Sequence, residues 1–308
     1  MLRIGTRGSQ LARAQAEWVK ERLAQVGQPA ELVIIQTQGD VQADASLVKI
    51  GGKGVFVKEL EAALLAGEVD LAVHSLKDLP TETPEGLTIA AVAERVDPRD
   101  VICSRDGKDL LMLPQGATLA TSSLRRRAQI LAVRPDLQVV EVRGNIDTRL
   151  RKLDEEQFDA LAMAAAGLIR LGWPERISDY LPFDLCLPAP GQGAIAIETR
   201  TDSYEIVAAL EHAPTRAAAA AERTFLASLG GGCLAPIGAV ATVAGDELLL
   251  RGMVAAPDGS SILRGETVGA VSEARQVGAK LAQQLLEQGA GDILALAPPI
   301  HDTPGIAP

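Results

Sequence analysis

The feature that most constrains this chain is a change of rhythm at about Pro214. Before it, short apolar runs alternate with stretches whose apolar residues recur at helical spacing; after it, alternating runs follow one another across tight turns. Strand, helix and strand in regular order predict α/β layers with parallel strands, since a crossover helix returns the chain to the same edge of a sheet. The first unit is expected to hold strands at Leu2–Ile4, Glu31–Gln36, Asp70–Val73 and Leu87–Val92. Ser9 is placed to cap a helix running to about Ala24, and a second helix spans about Val57 to Ala66, ending at Gly67. A charged connector, Glu94–Asp100 with Pro98 inside it, separates a second unit. Its strands are Val101–Cys103, Thr118–Ala120, Val139–Val142 and Ala160–Met163, with helices near Leu124–Val133, Ile146–Leu153 and Ala164–Leu171. Leu187–Gly193 is a second linker, and the alternation Ala194–Glu198 predicts a strand that returns to the first unit. Two crossings between two lobes make a double hinge.

Beyond Pro214, Ile237–Val243, Glu247–Arg251 and Ile262–Val268 read as an antiparallel meander with turns at Gly245-Asp246 and Pro257–Gly259. A helix, Ser272–Gln288, carries Ala274, Val277, Leu281 and Leu285 on one face. The expected fold class is therefore α/β, with two lobes joined by a double hinge and a small α+β third domain holding a three-stranded antiparallel sheet. The expected domains are 1–93 with 194–212, 99–187, and 213–308.

Composition narrows the partners. Only 3% of the 308 residues are aromatic, so the cores are built from Leu, Val, Ile and Ala. A net charge of −10 argues against a general nucleic-acid binder, which needs a net basic face. Three cysteines do not make a disulfide framework and suit a reducing compartment. Met1–Gly5 has no signal-peptide apolar core, and no apolar run is long enough to span a bilayer. The expectation is a soluble cytoplasmic protein with no membrane or nucleic-acid partner, no obligate protein partner and a monomeric state by default. His74, His212 and His301 lack ligand-like spacing, so no metal site is expected.

Two features carry chemistry. Gly230-Gly231-Gly232-Cys233-Leu234-Ala235-Pro236 places Cys233 on a loop after a helix-forming run, open to a bulky group, whereas Cys103 and Cys186 stand in apolar runs as packing residues do. A small residue in a tight turn is the plainer reading of Cys233. Second, basic residues fall where strand ends meet helix starts: Arg7, Arg125, Arg126, Arg143, Arg149 and Arg170. In open α/β sheets ligands bind at that edge, and helix N–H groups with the Ser122 and Ser123 hydroxyls already favour an anion. Each arginine alone reads better as half of a surface ion pair; their shared position argues for a polyanionic ligand. Gly51-Gly52-Lys53-Gly54 lacks the hydroxyl of a Walker A loop and reads as a basic loop, with Lys49, Lys53 and Lys58 near it. His74-Ser75-Leu76-Lys77-Asp78 follows a buried strand and emerges at the same edge. Asp78 beside Lys77 reads either as a solvated pair or, among cations, as a carboxylate that stabilises positive charge or relays a proton.

Gly5–Ser9, Gly51–Glu61, Ala72–Pro80, Thr121–Arg126, Arg143–Asn145, Pro190–Ala194 and Gly231–Cys233, in this order, resemble the porphobilinogen deaminase (hydroxymethylbilane synthase) family over essentially the whole chain. The resemblance implies two lobes like those of periplasmic binding proteins and a third domain carrying the cofactor. It implies a transferase of haem and other tetrapyrrole biosynthesis that joins four porphobilinogen molecules head to tail, with loss of ammonia, into linear hydroxymethylbilane. It also implies a dipyrromethane cofactor held by a thioether to Cys233. On this reading Asp78 is catalytic, stabilising the cationic ring that forms when one pyrrole attacks an azafulvene. Cys233, Arg125, Arg126, Ser122, Ser123, Lys77 and Ser75 bind the cofactor, and Arg7, Ser9, Arg143, Arg149, Arg170, Lys49, Lys53, Phe56 and Gln192 bind substrate. Gly230 stands where many members have Glu, Leu234 where Gln or Ser is common, and Gln10 where Pro is frequent. The alternative is a non-catalytic two-lobed anion receptor.

Overall fold

The computed structural model describes residues 1–37, 57–232 and 235–296. In chain order the first elements are β1 (Leu2–Thr6), α1 (Gln10–Gln25), β2 (Ala30–Ile34), α2 (Lys58–Leu65), β3 (Leu71–Ser75) and β4 (Leu87–Val92). The chain then crosses to β5 (Asp100–Ser104), β6 (Thr118–Ala120), α3 (Leu124–Val133), β7 (Gln138–Val140), α4 (Ile146–Asp154), β8 (Ala160–Ala164), α5 (Ala165–Arg170) and β9 (Asp179–Tyr180). It crosses back as β10 (Ile195–Arg200) and continues into α6 (Ala213–Ser228), β11 (Ile237–Ala244), β12 (Glu247–Ala255), β13 (Ile262–Ala270), α7 (Ala274–Glu287) and α8 (Ala290–Ala295).

Among the described residues the strands form three sheets, ordered β2-β1-β3-β10-β4, β7-β6-β8-β5-β9 and β11-β12-β13. The first two share one plan. Three strands run parallel, joined through helices, and the fourth position is taken by the strand that has just crossed from the other lobe: β10 in the first sheet, β5 in the second. Each crossing strand runs antiparallel to both its neighbours, because it enters from the opposite end. The sheets are therefore mixed and not parallel throughout as the alternation predicts. The return of Ala194–Glu198 to the first sheet is as expected, and the two-residue β9, too short to show a pattern, was not.

Each lobe has an aliphatic core. Ile4, Val19, Leu23, Leu71, Val73 and Ile197 pack the first, and Val101, Leu150, Leu161, Met163 and Leu168 the second. Cys103 and Cys186 are fully buried, and burial pushes both thiols up to about 12. In the third unit Phe225 sits fully buried among Leu248, Leu250, Leu281 and Leu285. There α6 and α7 approach so closely that a Cβ on Gly278 would lie 2.3 Å from the Ala221 carbonyl oxygen. The end of α6 is a double-bonded glycine stop: Gly230, at φ +66°, donates to the Ala227 carbonyl at 2.9 Å and Gly231 to Leu226 at 3.1 Å. A glycine at 230 thus serves the left-handed cap that ends α6. No described helix is long and apolar enough to cross a membrane.

A buried carboxylate joins the third unit to both crossings. Glu222 of α6 receives Arg95 from the first crossing, and also the backbone N–H groups of Gly191, on the second crossing, and Ala241, on β11, each at 2.7 Å. Gly193, at φ +87°, brings the crossings together: a Cβ there would lie 2.6 Å from the Val96 carbonyl oxygen.

Candidate active site

The shared plan of the two sheets turns corresponding strand ends toward each other. Between them lies a cleft of about 320 Å³. Arg7 and Ser9 reach it from the end of β1, Ser75, Lys77 and Asp78 from the end of β3, and Arg126 from the start of α3. Asn145 and Arg149 come from α4 and its cap, Arg170 from the last turn of α5, and Gln192 from the second crossing. Why those places are polar is local. Ser9 caps α1, accepting from Ala12 N–H at 3.3 Å, and a single 3₁₀ turn, Leu76–Asp78, swings Lys77 and Asp78 out of the sheet while burying Leu76.

Arg149 and Arg170 are held by backbone carbonyls with donors to spare. Arg149 gives its Nε–H to the Gly144 carbonyl at 2.7 Å and Arg170 an Nη2–H to Gly193 at 2.8 Å. Desolvation lowers both guanidinium pKa values to about 10, and for Arg149 the nearby Arg126 and Arg143 add to the effect while Asp78 opposes it. Lys77 keeps part of its surface, yet desolvation around its ammonium group lowers its pKa to about 8; Asp78 and Asp100 oppose, and Arg126 and Arg125 add to the shift. A group of cations whose charge is disfavoured by burial and by each other is a site that an anion relaxes. Asp78 is exposed on this cleft, a carboxylate facing several positive groups.

Not every expected residue comes to the cleft. Arg125 is buried behind it, its Nη1 ion-paired with Asp100 and donating to the Leu187 carbonyl at 2.7 Å. Its neighbour Arg126, one position on in the helix, turns to the cleft side. The Ser122 hydroxyl donates to the Val142 carbonyl, and Ser123 caps α3 by accepting from Arg126 N–H at 3.4 Å. Arg143 pairs with Glu141 at 3.1 Å beside the cleft, which the adjoining Gly144 lines. Lys49, Lys53, Phe56 and Cys233 lie outside the described residues. Gln15 and His74 also line the cleft, neither having been assigned to the site from the sequence. Gln15 exchanges hydrogen bonds with the Ser75 hydroxyl at 2.9 and 3.3 Å, and its signal was a polar residue on the apolar stripe of α1. His74 lines the cleft from β3 and places Nε2 3.2 Å from Oε2 of buried Glu198 on β10.

Fold and cleft together define a two-lobed α/β protein with several cationic side chains on the cleft between its lobes. Residues 2–208 match the family model described as "Porphobilinogen deaminase, dipyromethane cofactor binding domain", and residues 217–287 the one described as "Porphobilinogen deaminase, C-terminal domain". A porphobilinogen deaminase of Pelotomaculum thermopropionicum is 53% identical over 299 residues, 96% of each chain. One of Desulforudis audaxviator is 54% identical over 297 residues, covering 95% of this chain and 96% of its own. Among solved structures, an ABC transporter periplasmic substrate-binding protein from Coxiella burnetii aligns with a TM-score of 0.42 at 18% identity, over 72% of this chain and 97% of its own.

The chain belongs to the porphobilinogen deaminase family. It is an enzyme of tetrapyrrole synthesis with the hydroxymethylbilane synthase activity of that family, and its first two lobes form a dipyrromethane-cofactor-binding domain.

Proposed function

We propose that the cleft holds a dipyrromethane primer, thioether-linked to Cys233, and extends it with porphobilinogen, using Arg7, Lys77, Arg126, Arg149 and Arg170 as carboxylate clamps and Asp78 as the catalytic carboxylate. The observation that carries this is the set of five cations on a single cleft between the lobes, with Asp78 beside Lys77 at the end of β3 and the second exposed carboxylate, Asp147, on α4. The residues fit the group: each pyrrole ring bears an acetate and a propionate, and the crowded cations of the cleft are relaxed by carboxylates. The bound primer supplies an electron-rich terminal pyrrole carbon.

The chain's own residues do the rest. Forked guanidinium groups fix carboxylates by paired hydrogen bonds and so orient the rings. Lys77, with its proton poised near neutrality, adds a donor beside Asp78. Asp78, a carboxyl group set among cations, stabilises positive charge as it develops on a reacting pyrrole and takes up the ring proton. Ser75, held by Gln15, and Gln192 supply neutral hydrogen bonds. With the described thiols buried and held protonated, Cys233 remains for attachment. Arg125, Ser122, Ser123 and Arg143 support the cleft from behind or beside it, and Lys49, Lys53 and Phe56 belong to the same substrate set.

A three-domain division, 1–93 with 194–212, 99–187 and 213–308, is supported by the membership of β10 in the first sheet, and the crossings between lobes serve as hinges as the product lengthens. Porphobilinogen is the sole small-molecule partner this reading requires, and the enzyme works in the cytoplasm. Intact mass of the purified chain beside Cys233→Ser tests it. An excess equal to two linked pyrroles, lost in the variant, is expected. Unmodified mass in both, persisting after incubation with porphobilinogen, would return the chain to a two-lobed binder.

A further inference from the structure

The sequence reading leaves Asp100 in a charged connector, but in the structure it is fully buried at the first residue of β5. Its two oxygens have separate duties. Oδ2 anchors the interior, taking Arg125 Nη1 and, at 3.4 Å, the Cys186 thiol. Oδ1 faces the site: it accepts from Arg126 Nε and Gln192 Nε2, each at 2.9 Å, and lies in ion-pair contact with Arg126 Nη2 at 2.8 Å. Gln192 Nε2 also donates to the Pro98 carbonyl at 2.8 Å, so both its amide hydrogens meet acceptors and its Oε1 must face the other way. There it accepts Lys77 Nζ at 3.2 Å.

We infer that Asp100 is a positioning residue for the reaction: through Oδ1 it sets the attitude of the Arg126 guanidinium and, by way of the Gln192 amide, of the Lys77 ammonium, so that both present free N–H groups to the carboxylates in the cleft. This rests on the reading of the cleft given above. Arg126 commits its Nε–Nη2 edge to Asp100 and only a 3.3 Å contact from Nη1 to the Ala162 carbonyl, which leaves its remaining Nη hydrogens for the cleft it lines. One buried carboxylate against Arg125, Arg126 and Lys77 also leaves uncompensated positive charge, and that surplus is what the cleft offers an anion. Because Pro98 and Asp100 lie on the first crossing and Gln192 on the second, the same network holds both crossings where the clamp is set.

The test uses the full chain carrying Asp100→Asn or Gln192→Met, with bound primer checked by mass, folding by thermal unfolding, and kcat/KM for porphobilinogen followed against pH. Lys77 faces Asp78, Asp100, Arg126 and Arg125, and removing the Asp100 charge or the Gln192 acceptor withdraws support from its protonated form. The alkaline limb of kcat/KM is expected to move to lower pH by roughly half a unit or more in both variants, with a loss at neutral pH of roughly tenfold or more. A merely structural Asp100 would lower stability and leave the limb where it is; an unmoved limb in a folded variant overturns the inference. If Asp100→Asn does not fold, Gln192→Met decides alone, since it keeps the pairs of Asp100 with Arg125 and Arg126. Wild-type protein without primer or turnover would instead sink the functional reading, and this inference with it.

Discussion

Arg95 lays both ends of its guanidinium on the carboxylate of Glu222, Nη1 to Oε1 at 2.7 Å and Nη2 to Oε2 at 2.6 Å. Glu222 is fully buried and also accepts two backbone N–H groups, so every part of its charge is matched. Removing one partner strands the other. Arg95→Ala is expected to cost about 3–5 kcal/mol, read as a lower midpoint in urea unfolding, because an uncompensated buried carboxylate remains. A change below about 1 kcal/mol would show that water reaches Glu222.

Asp78→Asn keeps the size and exposure of the side chain and removes its charge. Turnover is expected to fall on the order of 10²-fold or more, with the unfolding temperature unchanged and the primer still seen by mass. Wild-type turnover in this variant would move the catalytic role elsewhere on the cleft.

Lys77 sets a pH signature. Its pKa falls from 10.5 to about 8 on folding, first through desolvation. Between those values the unfolded chain binds the proton that the folded chain has released, so this group's contribution to stability rises with pH across that window. A carboxylate favours the charged form, so its arrival draws a proton back. Calorimetry of ligand binding at about pH 8.5 in two buffers of different ionisation heat should show proton uptake, absent from Lys77→Met. Equal heats in both buffers for the wild type would place Lys77 away from the bound carboxylates.

Gly193→Ala probes the meeting of the crossings. The φ of +87° is costly for a side chain, and the new Cβ would press on the Val96 carbonyl. A loss of about 1–3 kcal/mol in chemical unfolding is expected, and an unaltered midpoint would mean that the two strands separate freely here.

Much of this was legible in the residues. The bounds of α3 and β4 follow from apolar spacing, and the three-stranded sheet from alternation between two clear turns. Arg7, Arg126, Arg149 and Arg170 converge because each follows a strand whose end faces the cleft. Arg125 and Arg126 could not be told apart, since adjacent helical positions point about 100° apart and only the packing of α3 decides which meets Asp100 from within. Asp100 itself was hidden by its charged neighbours, Asp97 and Arg99, which pair with each other at 2.6 Å and are partly exposed. The antiparallel β5 and β10 were illegible for another reason: strand direction depends on the path between lobes, which no local pattern records.

That path also dictates an order of completion during synthesis. β4 bonds only to β10 within its sheet, so the first lobe waits, with an open place beside β3, until residue 200 has left the ribosome. The second lobe, whose strands all lie between residues 100 and 180, finishes first. For this chain, vectorial folding runs from the middle outward.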